Sequence, residues 1–283
     1  MFPLATLDDV LAPSGSARRH LFDTTVLLPG ESGSPADIFA SGHLPGSRYL
    51  DLKRLSDPQS TLPNTAPSAA QFASVMSQLG VSDEDEIIFY DQGNVASACR
   101  AWWLATFFGH EKVRVLHGGL PAWRARQLPL TQENTDTPPV ADYRTRTRFS
   151  RIVGLGDMQD IVATQQRPVL DARAQARFLG TTPEPRPGMA AGHMPGARNL
   201  PYKTLLDQQG FFLPAEDLKS IFQRLGVTTT NNPVCTCGSG MTASVLFVGL
   251  RLAGFETAAL YDGSWAEWGS TPGLPVSTET QDV

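Results

Sequence analysis

The stretch Pro233-Val234-Cys235-Thr236-Cys237-Gly238-Ser239-Gly240-Met241-Thr242 decides the fold. Residues 233–236 form a short β-type run. Residues 237–241 hold two glycines and no helical period. From Thr242 the chain turns apolar up to Ala253, and Gly254 follows where a helix C-cap belongs. Strand, tight loop and helix in that order is the unit of an α/β protein. Outward from this core, residues 169–170 and 258–261 read as further strands. Residues 215–225, closed by Gly226, have helical spacing. Such alternation implies a mostly parallel sheet flanked by helices, with ligands at the carboxyl ends of the strands.

The same order of features occurs earlier in the chain. Residues 24–28, 86–90 and 113–116 read as strands. Residues 68–79, closed by Gly80, and 97–108, closed by Gly109, read as helices. Gly42-His43-Leu44-Pro45-Gly46 returns as Gly192-His193-Met194-Pro195-Gly196. Asp23 after Leu-Phe returns as Asp171 after Val-Leu, and Gly118-Gly119 with Trp123 returns as Gly263-Ser264 with Trp268. Matched features in one order, at nearly one offset, indicate a duplicated domain. The period is far longer than a solenoid repeat. The expected organisation is a first domain over residues 1–130, a linker over 131–148 and a second domain over 149–283. The linker segment is polar, rich in Thr and contains Pro138-Pro139.

Composition narrows the function. The chain has 283 residues, 41% hydrophobic and 18% charged, which suits two globular domains. Its net charge is −5 and no basic tract stands out, so nucleic acid is not an expected partner. No apolar run approaches the ~18 residues of a membrane span. Residues 1–11 carry Asp8 and Asp9 and no basic residue, unlike a secretory signal. Three cysteines are too few for a disulfide framework, and a reducing, cytoplasmic setting is expected. The Cys235-x-Cys237 pair lacks a second ligand pair, so no metal site is expected.

Most cysteines in α/β proteins are small buried hydrophobes. Cys99, in an apolar helix, and Cys235, inside a strand, fit that description. Cys237 does not. It stands at the end of a strand and the start of a helix, beside Gly238 and Gly240. Backbone N–H groups and the helix dipole stabilise an anion there, which favours a reactive thiolate. A Cys-x5-Arg phosphatase would need Arg where this chain has Ala243. Redox sensing by Cys235 with Cys237 is a weaker alternative, since residues two apart share a strand face only if both stay in the strand.

These motifs resemble those of the two-domain rhodanese-like sulfurtransferases over essentially the whole chain. Cys237-Gly238-Ser239-Gly240-Met241-Thr242-Ala243 is similar to that family's active loop; the repeated Gly-His-x-Pro-Gly and Tyr261-Asp262-Gly263-Ser264-Trp265 are similar to its other signatures. The resemblance implies an α/β fold of two tandem rhodanese-like domains, each a mostly parallel sheet flanked by helices. In the thiosulfate branch basic residues follow the Cys. The neutral Gly238-Ser239-Gly240 resembles the 3-mercaptopyruvate branch, with Met241 replacing Val.

The resemblance also implies site residues. Cys237 would carry sulfur as a persulfide, with Gly238, Gly240, Met241 and Thr242 forming the substrate loop. Arg177 and Arg186, flanking Phe178-Leu179-Gly180-Thr181-Thr182-Pro183-Glu184-Pro185, would hold the substrate's carboxylate and carbonyl. Ser239 and His43 would belong to a proton relay whose acid is not evident. Asp91 occupies the place of Cys237 in the first half, which is expected to be catalytically silent. No cofactor is implied. The partners are a small sulfur donor and an acceptor such as cyanide, a thiol or a thioredoxin-like protein. A thiosulfate enzyme and a non-catalytic persulfide relay module are the rival readings.

Overall fold

The computed structural model describes residues 2–15, 17–27, 30 and 32–279. Contacts divide the chain into two units. One comprises Met1–Pro58, Ala66–Arg148 and Gln208–Phe211; the other comprises Gln59–Thr65, Phe149–Asp207 and Phe212–Val283.

In the first unit, β1 (Leu4–Ala5), β2 (Arg19–Asp23), β3 (Ser47–Tyr49), β4 (Glu86–Tyr90) and β5 (Val113–Leu116) form a sheet in the order β1-β5-β4-β2-β3. In the second, β6 (Ile152–Val153), β7 (Val169–Asp171), β8 (Arg198–Asn199), β9 (Val234–Thr236) and β10 (Ala259–Tyr261) follow the order β6-β10-β9-β7-β8. Every pairing in both sheets is parallel. The two orders trace one path twice, so the sequence repeat is a repeat of topology. Register repeats too: Asp23 lies opposite Tyr90, and Asp171 opposite Thr236.

Burial explains the strand composition. Ile87, Ile88, Phe89 and Tyr90 of β4, and Val234 and Cys235 of β9, are all fully buried, as central strands covered on both faces require. The Ala69–Gln78 helix buries only Phe72, Val75 and Met76, one stripe at helical spacing. Ser68 caps it by accepting the Gln71 N–H at 3.2 Å. The Ala96–Phe107 helix is buried along its whole length and so shows no stripe. No helix among the described residues is long and apolar enough to cross a membrane.

Two expectations need correction. The first strand of the sheet core is Arg19–Asp23, not residues 24–28, and Leu28 lies outside the described residues. Arg19 and His20 made the true strand look polar. Their charged groups are met inside the fold: Arg19 Nε donates to Glu86 at 2.6 Å, and His20 sits between Asp85 and Arg48. The chain leaves the sheet at Thr25, whose N–H and hydroxyl both donate to the Asp23 carboxylate. The segment 131–148 is not a free tether either. The Arg146 and Arg148 N–H groups donate to the Phe108 and Phe107 carbonyls at 2.8 Å each. Tyr143 is buried, and its hydroxyl meets His110 Nδ1 at 2.9 Å. Its polar composition hid a strap laid along the first unit.

His20 supplies a pH prediction. Arg48 Nη2 can only donate, so Nδ1 at 2.8 Å is the lone-pair nitrogen, and Nε2 carries the proton given to Asp85. Burial lowers the His20 pKa below its ordinary 6.5; Asp85 opposes this and the Arg48 charge adds to it. Burial also lowers those of His110 and His193. The unfolded chain therefore binds more protons just below pH 6.5, and the stability from these neutral rings, complete above that pH, is lost as pH falls through the window beneath it. The melting temperature is expected to fall between about pH 7 and pH 5.5, and to fall less in His20→Gln. Circular-dichroism melts at both pH values check this; an equal drop in wild type and variant would contradict it.

Candidate active site

β9 ends at Thr236, and Cys237 begins the loop leading to the Ala243–Leu252 helix. This loop lies at the carboxyl end of the sheet beside β7. The chain passes from β7 to β8 on one side and returns as β9 on the other, a topological switch point where α/β sheets bind ligands.

The loop is held by the turn after β10. Ser264 has a left-handed backbone, with φ 53°. Its hydroxyl accepts the Gly240 N–H at 3.0 Å and the Cys237 N–H at 3.4 Å, and donates to the Tyr261 carbonyl at 2.9 Å. The Trp265 and Ala266 N–H groups donate to the Cys237 and Gly238 carbonyls at 2.9 and 3.0 Å. Gly240, at φ 76°, makes a turn that a side chain would strain. The N–H groups of Gly238, Ser239, Met241 and Thr242 find no partner among the described residues. Unspent donors at a helix N-terminus suit an anion. Cys237, Ser239 and Met241 are all buried.

The first unit shows what such a loop holds. Asp91, at the position matching Cys237, accepts the Gly93 and Val95 N–H groups on Oδ1, each at 3.0 Å. Its Oδ2 accepts the Ala98 N–H and the Ser97 hydroxyl, each at 3.2 Å. Burial raises the Asp91 pKa, and these four hydrogen bonds oppose that. The Asp91 loop thus encloses its own carboxylate, whereas the Cys237 loop keeps N–H donors without a partner among the described residues.

After β7 comes a buried ionic cluster. Arg173 forms a bidentate pair with Asp171, reaches Glu184 at 2.9 Å and lies over the Trp265 ring, its Cζ 4.4 Å from the ring centroid. Burial alone would lower the Arg173 pKa, but Asp171 and then Glu184 leave it raised. Glu184 also pairs with Arg177 through both carboxylate oxygens. Arg177 is thereby laid against the loop: a Cβ added to Gly238 would meet its Nη2 at 3.0 Å. Gly238 is what lets the guanidinium approach. Arg186 is half-buried and has no ion-pair partner among the described residues.

The remaining cysteines and the two motif histidines have structural places. Cys235 lies inside β9 opposite Leu170 and Leu260. Burial first, and the neighbouring Cys237 second, push its pKa up, as suits a thiol packed in the core. Cys99 is raised likewise, by burial and then Asp91. His43, expected in a proton relay, lies against backbone carbonyls of the first unit. Its Nδ1 and Nε2 face the Phe39 and Glu133 carbonyls at 2.9 and 3.2 Å, and its ring stacks on Phe39. His193 repeats the arrangement with Phe178. Equivalent repeat positions make the same contacts.

Sequence reasoning missed Ser264, Arg173, Glu184 and Asn64. Glu184 was visible as the one acid between two arginines. Asn64 had no signal: its Nδ2 donates to the Ser239 hydroxyl at 3.0 Å across 175 positions of sequence.

The rhodanese-like domain model matches residues 6–126 and 155–271. The chain is 37% identical to a 3-mercaptopyruvate sulfurtransferase of Escherichia coli strain K12, over 91% of each. It is 31% identical to thiosulfate/3-mercaptopyruvate sulfurtransferase 1, mitochondrial, of Arabidopsis thaliana, covering 98% of this chain and 78% of that one. Among solved structures, Tum1 from Saccharomyces cerevisiae superposes with a TM-score of 0.89 at 29% identity, covering 99% of both chains. With both units matched and the site loop in place, the chain belongs to the rhodanese-like family, as a sulfurtransferase built from two copies of the domain.

Proposed function

We propose that the chain moves sulfur from 3-mercaptopyruvate through a persulfide on Cys237 to a thiophilic acceptor, releasing pyruvate. The observation that carries the reading is the neutral loop with unspent N–H donors and a guanidinium laid against Gly238. Thiosulfate carries two charges at the transferring end and would suit basic residues beside the sulfur. Mercaptopyruvate keeps its charge on a carboxylate away from the sulfur, which would suit Arg186, without an ion-pair partner among the described residues, and the partly exposed Arg177.

The reaction is ping-pong. The Cys237 thiolate attacks the donor sulfur, an S–S bond forms, and the C–S bond breaks. Its electron pair passes to pyruvate enolate, which takes up a proton. Arg177 and Arg186 stabilise that developing charge, and the loop N–H groups hold the sulfur anion. The acceptor then attacks the outer sulfur and restores the thiolate. Cyanide serves in an assay; a small thiol or a thioredoxin-like protein is the cellular acceptor proposed, in the cytoplasm. Thiosulfate is a second donor on this reading, since the Arabidopsis relative's name carries both activities.

Steady-state kinetics with each donor and cyanide test this. A higher kcat/KM for 3-mercaptopyruvate is expected, and a clear preference for thiosulfate would overturn it. Arg186→Ala should raise KM for 3-mercaptopyruvate about tenfold to a hundredfold, the loss of one charged hydrogen-bonding group, and affect thiosulfate less. Equal changes for both donors would remove Arg186 from the clamp.

A further inference from the structure

We infer that Asn64 is a positioning residue that makes the Ser239 hydroxyl a committed hydrogen-bond donor toward the anion formed at the Cys237 loop; this rests on the sulfur-transfer reading above. Asn64 belongs to the segment Gln59–Thr65, which packs with the second unit. Its Nδ2 lies 3.0 Å from Ser239 Oγ and 3.3 Å from the Ser239 backbone carbonyl. The carbonyl can only accept, so the amide end facing the loop is the NH2 group. Ser239 Oγ is therefore an acceptor toward Asn64, and its own hydrogen must go elsewhere. Ser239 is 8% exposed, and its hydroxyl hydrogen has no acceptor among the described residues. A buried hydroxyl with an unspent proton, two residues from the nucleophile, is spent when an anion arrives.

Asn suits the position twice. Its backbone is left-handed, at φ 61°, a conformation Asn tolerates better than most side chains. Its amide supplies the donor polarity that a carboxylate could not. An aspartate in its place would accept the Ser239 proton, repel the Ser239 carbonyl and set a negative charge beside the sulfur anion.

The test is a double-mutant cycle on the full-length chain. Asn64→Gly keeps the backbone conformation and removes the amide; Asn64→Asp keeps the shape and reverses the polarity. With 3-mercaptopyruvate and cyanide, Asn64→Gly should lower kcat about threefold to tenfold with little change in KM, the range expected for one hydrogen bond. Asn64→Asp should be worse. In a Ser239→Ala background Asn64→Gly should have no further effect, because the group it positions is gone. Equal losses in both backgrounds, or Asn64→Asp as active as wild type, would overturn the assignment. Alkylation of Cys237 by iodoacetamide at neutral pH supplies a readout independent of the donor. Asn64→Asp should slow it about threefold or more when Ser239 is present. Unchanged alkylation would overturn the Asn64 inference, whereas wild type inert to 3-mercaptopyruvate would sink only the donor assignment.

Discussion

Cys237→Ser is expected to lower kcat/KM for 3-mercaptopyruvate by about 10⁴-fold or more, to the level of the uncatalysed background. A serine hydroxyl is not ionised at neutral pH and does not carry sulfane sulfur. No other thiol can take over. Cys235 is inside β9 and Cys99 inside a buried helix, and burial holds both pKa values up. Nor should the fold suffer, because Ser is close in size to Cys and the backbone of this position is fixed by Ser264 and Trp265. Pyruvate release measured alongside urea denaturation separates the two effects. Activity above background in a folded Cys237→Ser variant would mean that sulfur travels by another route.

Glu184→Ala is expected to cost about 3 kcal/mol of stability, the lower end of the range for breaking a buried ion pair. The Glu184 side chain is 2% exposed and serves two guanidiniums at once. Its loss leaves Arg173, 1% exposed, with Asp171 as its one carboxylate partner among the described residues, beside the Gly192 carbonyl and the Trp265 ring. Arg177 fares better, since it is 24% exposed and can turn to water, which keeps the cost from being higher. That escape has a functional consequence. Arg177 would no longer be laid against Gly238, so KM for 3-mercaptopyruvate should rise as well. Urea denaturation and donor kinetics on one preparation check both parts. A stability change within about 0.5 kcal/mol, the range of ordinary surface substitutions, would show that the cluster does not brace the site.

Much of this was legible in the sequence, for identifiable reasons. The Cys237 loop and the Gly-His-x-Pro-Gly repeat are local patterns, and local patterns survive in one dimension. β4 and β5 were readable because parallel strands buried on both faces are nearly continuous apolar runs. β2 was not, because Arg19 and His20 are satisfied by Glu86, Asp85 and Arg48, which only the folded chain brings near. The strap over residues 131–148 was hidden similarly, since backbone hydrogen bonds to Phe107 and Phe108 leave no trace in composition. His43 shows the opposite hazard. A motif histidine invites a catalytic role, yet in both units its ring stacks on a Phe and its Nδ1 faces that residue's carbonyl. Asn64 stood outside any motif, and its role exists only through a contact made in space.

The central claim is that Cys237 alone accepts sulfur from 3-mercaptopyruvate. The most direct measurement is the intact mass of the protein after one turnover with 3-mercaptopyruvate and no acceptor, followed by peptide mapping and then cyanide. A gain of one sulfur atom is expected, located on Cys237 and removed by cyanide as thiocyanate. No added sulfur, or sulfur located on Cys99 or Cys235, would contradict it.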